Sequence, residues 1–262
     1  MKFIIFLFHF LIVYTVEAEL LTRAGGALIY DTERNLTWFS DANYAKTINY
    51  NPEMSFPGLM TKTTAAAWVD GLEYAGFDDW RLPYTIQPDL SCSTQGENGV
   101  STSYNCSGSE LGHMFYTLLG GVQFTPISVQ HNTNYELFSN INEIYGYYWA
   151  TPEVLATNRS WAFRFDMGYQ NLEKKIGSST VWPVRSGDPL LDQPPDGDAN
   201  FDGVINAADI HIAMQIIFGL REPTAKEFMH LDIAPSQSGI SQPDGSIDSG
   251  DLFLILRLGI GL

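Results

Sequence analysis

Apolar and polar residues alternate over several stretches of the chain, and each alternation predicts a β-strand. Residues 27–31 and 36–40 predict the two strands of a hairpin. Residues 161–166, in which aromatic and other side chains alternate, predict a half-buried strand. That strand is expected to turn at residues 167–169 toward a partner strand that ends at 181–185.

Helical spacing of apolar residues predicts two helices in the same part of the chain. Residues 63–75 and 109–119 each place their apolar side chains on one face. Ser109 suits the N-cap of the second helix, and Gly120-Gly121 suits its end. Helices and strands together predict one mixed α+β domain over residues 19–187.

Residues 198–209, DANFDGVINAAD, form the most chemically specific motif of the chain. With Asp198 as position 1, they match the ligand positions of a twelve-residue calcium loop, and Gly203 stands at the sharp turn. Calcium binds 6 to 8 oxygens at about 2.3–2.6 Å, and this spacing surrounds one ion with such a shell. The alternative is an Asx-rich surface turn without metal. The candidate ligands are Asp198, Asn200, Asp202, Val204 through its carbonyl, Asn206 and Asp209.

A second copy of the motif begins at Asp232. An insertion, residues 233–243, separates its position 1 from position 5, so position 3 has no assigned side chain. A backbone carbonyl near Ala234 or Pro235 is the candidate for that position. The remaining candidate ligands are Asp244, Ser246, Asp248 and Asp251. Apolar residues after each loop predict a helix.

Two loop–helix repeats, each closing with Asp rather than Glu, resemble a type I dockerin over Gly197–Leu262. The resemblance implies a small all-α domain of EF-hand-like repeats that binds two calcium ions and docks on a cohesin-like protein. In dockerins, residues just before position 12 commonly contact the cohesin. They are Ala207-Ala208 in one repeat and Ser249-Gly250 in the other, so the two repeats are not equivalent there. A stabilising tail without a cohesin partner is the alternative.

The first eighteen residues have the pattern of a secretory signal peptide. Lys2 supplies the positive end, residues 3–14 form an apolar core, and the expected cleavage site lies near Ala18. The apolar core is shorter than the roughly 20 residues that span a membrane. We therefore expect a secreted protein, extracellular or periplasmic, without a membrane span. The net charge of −16 argues against nucleic acid as a partner.

Cys92 and Cys106 are the two cysteines of the chain, and they flank a polar segment. In an exported protein, a pair this close in sequence predicts a disulfide that closes a loop. A metal or catalytic role is the alternative, although two cysteines are too few for a metal site of their own.

Five phrases of the first domain resemble the DUF1566 family, also called the Lcl C-terminal domain after a bacterial collagen-like adhesin. The resemblance implies a C-type-lectin-like fold and an exported protein active in adhesion or glycan binding, and it supplies no catalytic residues. The phrases are NLTWFSDANYA at 35–45, AAAWVDGLEYAGFDDWRLPY at 65–84, SELGHMFYTLLGG at 109–121, YYWATPE at 147–153 and SWAFRFDMGYQ with VWPVRSGD between 160 and 188.

The aromatic residues admit both a structural and a binding role. Trp80, Trp161 and Trp182 are predicted to be core residues, with Arg81 paired to a nearby carboxylate. The run Tyr147, Tyr148 and Trp149 is the better candidate for a binding surface, because consecutive residues of a strand face opposite sides. His113, among apolar neighbours, is predicted to be a packing residue rather than a ligand.

Two functional hypotheses follow. The first is a non-catalytic exported binding or adhesion protein with a calcium-stabilised docking tail, joined by an extended linker at residues 188–196. The second is a carbohydrate-active enzyme component that takes part in polysaccharide breakdown. Asp78, Asp79, Asp166 and Glu173 are available as catalytic carboxylates, but nothing in the sequence pairs them.

Overall fold

The computed structural model describes residues 19–50, 56–143, 146–154, 157–192 and 195–261, and the predicted signal peptide lies outside these ranges. The strands are β1 (Leu20–Arg23), β2 (Leu28–Asp31), β3 (Leu36–Phe39), β4 (Thr94–Gln95), β5 (Ser101–Thr102), β6 (Tyr147–Glu153), β7 (Arg159–Arg164), β8 (Tyr169–Lys174), β9 (Val184–Ser186), β10 (Ser236–Gln237) and β11 (Ile240–Ser241). The α-helices are α1 (Tyr44–Thr47), α2 (Lys62–Asp70), α3 (Glu110–His113), α4 (Pro189–Asp192), α5 (Ala207–Ile217), α6 (Ala225–Leu231) and α7 (Ser249–Gly259). Within the described ranges, no helix is long and apolar enough to cross a membrane.

The architecture is mixed α and β, with several small antiparallel sheets. The largest has four strands in the order β1-β2-β3-β9. The predicted hairpin is confirmed as β2 and β3, in which Leu28 lies opposite Phe39. The prediction for residues 181–185 was wrong, because β9 pairs with β3, where Trp38 lies opposite Val184. A pairing across that much sequence leaves no local trace in the hydrophobic pattern.

A second sheet of three strands has the order β6-β7-β8. The short turn after β7 leads directly into β8, so β8 takes the place expected for residues 181–185. The prediction of a half-buried β7 was also wrong: Trp161, Ala162 and Phe163 are successive residues and each is at most 2% exposed. Because successive strand residues face opposite sides, β7 is covered on both faces.

The two predicted helices are present but end differently. The side chain of Thr61 caps α2 by accepting from Thr64 N, and the helix ends before Gly71, earlier than predicted. Helix α3 continues as a π-helix over Met114–Leu118. Ser109 holds the predicted N-cap position, but its hydroxyl donates to Asp89 Oδ2 over 3.2 Å instead of capping the helix.

The C-terminal part, here called the tail and comprising residues 197–261, has a small core of its own. Its buried members are Ala199, Ala213, Leu231, Ile233 and Ile255. The tail contains the hairpin β10–β11, so the prediction of an all-α domain was wrong. The hairpin forms within the insertion at residues 233–243, whose Ser and Gly residues suit a tight turn.

Residues 188–192 are folded against the first domain. The prediction of an extended linker was wrong there, because Pro189–Asp192 form α4, Asp188 directly before it pairs with Arg23 over 2.7 Å, and Asp192 pairs with Arg185. From the tail itself, Met229 is 3% exposed and belongs to the core of the first domain. Two hydrophobic cores therefore meet at helix α6.

Candidate functional site

The first acidic loop is organised around the carboxylate of Asp198. Its Oδ1 accepts a hydrogen bond from Asp202 N at 3.3 Å, and its Oδ2 accepts from Gly203 N at 2.8 Å. Gly203 has φ +81°, a conformation that costs a glycine nothing and most other residues about 1–2 kcal/mol. Glycine at this position therefore lets the chain turn back over Asp198.

Asp209 closes the same loop from the first turn of α5. Its Oδ1 accepts from Ala199 N at 2.9 Å and Asn200 N at 3.1 Å, and its Oδ2 accepts from Asn206 N at 2.8 Å. Asn206 in turn caps α5, which completes a capping box. The predicted positions 1 and 12 are thus brought together, with the carboxylate of Asp209 against the residues that follow Asp198.

The second loop repeats these contacts. Asp232 accepts from Asp244 N at 3.1 Å and from Gly245 N at 2.9 Å. Asp251 accepts from the backbone N–H groups of residues 233 and 234, both at 2.7 Å, and from Asp248 N at 2.7 Å. The insertion between them is closed by a hydrogen bond from Gln242 N to Pro235 O, so it leaves the loop as a self-contained hairpin.

The remaining predicted ligands also correspond between the loops. Position 5 accepts from the backbone of position 7, which joins Asp202 to Val204 at 2.9 Å and Asp244 to Ser246 at 3.0 Å. Position 9 accepts from position 11 in both Asn206 and Asp248. Only position 3 differs, because Asn200 has no side-chain counterpart in the second loop, and the Pro235 carbonyl is taken up by the hairpin.

Burial disfavours the charged carboxylates of the second loop. It raises the pKa of Asp232 to about 6, and the nearby carboxylates of Asp251 and Asp244 act in the same direction. Burial likewise raises the pKa of Asp251. Hydrogen bonds from backbone N–H groups oppose both shifts without cancelling them. A cation placed between these acids would relieve the repulsion.

Among the described residues, one set of three potential metal-binding side chains has its ligand atoms within 4.8 Å of one another: Asp89, Cys92 and Cys106. The two cysteines form the predicted disulfide, so this set is not a metal site. The acids of the two loops are more widely spaced.

The tail loops also border the first domain. A cavity of about 290 Å³ lies between the turn at Arg23–Gly26 and the second loop, and Asp232, Gly245 and Phe228 line it. Gly25 faces Phe228 so closely that a Cβ added there would lie 2.8 Å from the ring. The second loop therefore lies next to the face of α6 that packs against the first domain.

The predicted aromatic surface is absent at the residues named for it. Trp149 and Tyr148 are 0% exposed, so their prediction as binding residues was wrong, and Tyr147 is half-buried. The sheet that contains them is covered on both sides, which the alternation of a single strand cannot reveal. The core roles predicted for Trp80, Trp161 and Trp182 are confirmed, as is the burial of His113.

A partly exposed aromatic cluster, in which Tyr104 and Tyr169 are half-buried and Phe124 is exposed, is present elsewhere. The ring centroid of Tyr104 lies 4.1 Å from that of Phe124 and 5.0 Å from that of Tyr169. Phe124 is 65% exposed although its φ is +65°. The disulfide loop, the segment after the π-helix and the start of β8 each supply one ring. Separation along the chain hid this cluster from the sequence pattern.

A cleft of about 260 Å³ opens beside helix α2. Lys62, Trp80, Arg81, Thr151 and Glu153 are among its lining residues, and several of them belong to phrases by which the sequence resembles its family. Arg81 makes a bidentate ion pair with Glu110, with both contacts at 2.8 Å, which confirms its predicted pairing. Lysine is normally exposed, so the burial of Lys62 had no sequence signal.

Two of the four carboxylates considered for catalysis are held in ion pairs. Asp79 pairs with Arg185, and Asp166 pairs with Arg164, which lies two residues earlier in the chain. Each of these two acids therefore neutralises an arginine.

A family model described as the Lcl C-terminal domain matches residues 27–185 of the chain. The match begins next to β2 and ends within β9, so it includes β2, β3 and most of β9 from the four-stranded sheet, together with the three-stranded sheet, the disulfide and the lysine cleft. A comparison with curated proteins and one with solved structures each gave no match.

Proposed function

The chain belongs to the Lcl C-terminal domain family, and from that premise we propose that it is an exported, non-catalytic binding protein with a calcium-stabilised tail. The first module, residues 19–187, is assigned adhesion or glycan binding and a C-type-lectin-like fold. Residues 188–196 connect it to a dockerin-like module at 197–262 that serves protein docking. The signal peptide at 1–18 directs export.

The equivalence of the two tail loops carries the calcium assignment. In both loops position 1 accepts from positions 5 and 6, and position 12 accepts from positions 2 and 9. The donor set consists of carboxylate, amide, hydroxyl and backbone oxygens, which are the hard ligands that calcium prefers. An Asx-rich turn without metal explains one such loop but gives no reason for two.

Calcium also suits the energetics of the tail. Acids that repel one another in a small core lower its stability, and a bound divalent ion reverses that repulsion. Calcium at one hundred times its dissociation constant adds about 2.7 kcal/mol of stability per site. Asp232 and Asp251 gain most, because burial raises the pKa of both carboxyl groups and a bound cation would favour their charged forms.

Protein docking is supported by the surface around the two loops. The residues before position 12, Ala207-Ala208 and Ser249-Gly250, are exposed. In addition, Phe218 at the C-terminal end of α5 and Phe253 in α7 are at least 60% exposed. Exposed apolar side chains support an interaction surface on this module, and a cohesin-like protein is the partner proposed.

Glycan binding by the first module is supported by the cluster of Tyr104, Phe124 and Tyr169. Aromatic faces pack well against the C–H faces of sugar rings, and phenolic hydroxyls nearby offer hydrogen bonds. Phe124 keeps its ring exposed at the cost of a left-handed backbone conformation. Strain of this kind at an exposed ring points to a functional constraint.

The test combines calcium titration with glycan screening of the full chain. We expect calorimetry on chelator-treated protein to show calcium binding that Asp198→Asn and Asp232→Asn each reduce. On a glycan array we expect retention without release of reducing sugar. Release of reducing sugar would instead favour the alternative, a carbohydrate-active enzyme component of polysaccharide catabolism. Absence of any calcium response would contradict the tail assignment.

A further inference from the structure

The cleft beside α2 contains an unusual lysine. Lys62 is 2% exposed, whereas Lys46 and Lys174 lie at the surface. Burying a lysine costs several kcal/mol unless its charge is paired. The chain keeps it at the first position of α2, where its backbone N–H donates to Lys175 O.

Its amine lacks the partner that a buried cation normally has. Within the part of the chain that the structure describes, no carboxylate lies within 4.0 Å of Lys62 and no hydrogen bond leaves its side chain. Glu153, the carboxylate whose charge acts on the pKa of Lys62, forms its ion pair with Lys175 instead. Lys62 therefore faces a cleft with its amine uncommitted.

The surroundings favour the neutral amine. Burial lowers the pKa of Lys62 to about 8; the carboxylate of Glu153 opposes this shift, and the positive charge of Lys175 adds to it. The N-terminal end of α2 also disfavours a positive charge at that place. At pH 7.5 the Lys62 amine is then neutral in about a quarter of the molecules, whereas an ordinary lysine with a pKa near 10.4 is neutral in about a thousandth of them.

We propose that Lys62 is a carbonyl-binding lysine that takes a small aldehyde in this cleft as a Schiff base. The volume of about 260 Å³ suits a small ligand. Trp80 and Leu82 give the cleft an apolar wall, and Thr151 offers a hydroxyl at its edge. Among the other charges of the cleft, Arg81 is paired with Glu110 and Glu153 with Lys175, which leaves Asp70 to repel an anion; a neutral carbonyl is not repelled.

The chemistry balances without any further reactant. The lone pair of Nζ attacks the carbonyl carbon, and a proton moves from nitrogen to oxygen to give a carbinolamine. Loss of water then leaves the imine, Nζ=CH–R. Water returns the aldehyde and the amine, so the linkage is reversible. Lysine amines freed of charge by burial perform this step in other proteins.

Reductive trapping on the unmodified chain tests the proposal. Glycolaldehyde and cyanoborohydride are added at pH 7.5, and the labelled lysines are quantified by peptide mass spectrometry. We expect at least about tenfold more label on Lys62 than on exposed Lys46, since the fraction of neutral amine outweighs exposure. The ratio of label on Lys62 to label on Lys46 should fall at pH 10, where a substantial fraction of an ordinary lysine is neutral as well. Label on Lys62 equal to or below that on Lys46 would overturn the proposal.

Two variants complete the test. Lys62→Arg keeps a cation in the cleft but removes the nucleophile, so label at the cleft should disappear while the unfolding temperature is retained within a few degrees. Lys46→Arg is the matched control and should leave the label on Lys62 unchanged. Should Lys62→Arg fail to fold, the site-resolved comparison in the unmodified chain still decides the matter.

Discussion

Asp251 and Ile233 lie eighteen residues apart and are joined by a 2.7 Å hydrogen bond from Ile233 N to Asp251 Oδ1. In the first loop the equivalent bond joins residues only ten apart, from Ala199 N to Asp209 Oδ1. The longer second loop reaches the same closure because its extra residues fold away as β10–β11. Loop length therefore varies while the arrangement of position 12 against position 2 is kept.

Calcium should raise the stability of the chain through both loops. We expect chelation to lower the unfolding temperature and calcium at one hundred times its dissociation constant to restore about 2.7 kcal/mol per site. Asp209→Asn should abolish the gain at the first loop, since an amide nitrogen cannot accept from Asn206 N as Asp209 Oδ2 does. Thermal unfolding with and without calcium measures the effect.

Asp78→Asn is the control for that series, because Asp78 is an exposed acid of the first module. It changes the net charge by the same amount without altering either loop. An equal loss of calcium response in this variant would show that calcium acts through general charge and not through the loops.

The turn at Gly25 should control how the tail docks. A Cβ at Gly25 would lie 2.8 Å from Phe228 Cδ2, so Gly25→Ala should push α6 away from the first domain. Gly26→Ala is a matched control, since Gly26 also has a positive φ but its Cβ would meet nothing within 4 Å. We expect faster amide hydrogen exchange over α6 in Gly25→Ala alone. If the amide hydrogen exchange of α6 is equally fast in Gly25→Ala and Gly26→Ala, backbone strain in the turn and not the contact with Phe228 is the cause.

Local chemistry was predictable from the sequence, and long-range assembly was not. The hydrogen-bonded turn at Asp198 was predictable because its acidic and amide residues and its turn glycine lie within twelve residues. The pairing of β3 with β9 and the cluster of Tyr104 with Phe124 join distant segments, so no window of the sequence contains them. The buried Lys62 opposes the usual preference of its residue type, and only the packing around it reveals it.

Phe124 should separate binding from stability. Its left-handed backbone suits asparagine far better than phenylalanine, so Phe124→Asn should leave the free energy of unfolding unchanged or raise it by about 1 kcal/mol. Loss of the ring should nevertheless abolish glycan retention. Val129→Asn, which removes a 72% exposed apolar side chain outside the cluster, should retain binding. Glycan-array retention and denaturant unfolding measured on the same samples decide between these outcomes.

The disulfide should stabilise the loop that presents Tyr104. Cys92 and Cys106 are separated by fourteen positions, and closing a loop of this size adds about 3 kcal/mol by restricting the unfolded chain. The double variant Cys92→Ser with Cys106→Ser should lose about that much stability in urea unfolding. The unmodified chain under reducing conditions is the control, because it lacks the cross-link but keeps the cysteine side chains. The double variant and the reduced unmodified chain should unfold at the same urea concentration if the serines have no effect of their own.

Lys62→Met should stabilise the chain in a manner that depends on pH. The folded-state pKa of Lys62 is about 8 and lies below the ordinary value of 10.5. Below pH 8 both folded and unfolded states hold the proton, so the full cost of the buried charge is present and its removal gains on the order of 1–3 kcal/mol.

Between pH 8 and 10.5 the unfolded chain binds the proton that the folded chain has released, so the stability of the unmodified protein rises relative to the variant. The advantage of Lys62→Met should therefore be largest at pH 7 and should nearly vanish above pH 10.5. Urea unfolding of both proteins at these two pH values measures it. A constant difference between them would mean that methionine acts by packing alone and that the amine of Lys62 carries no buried charge.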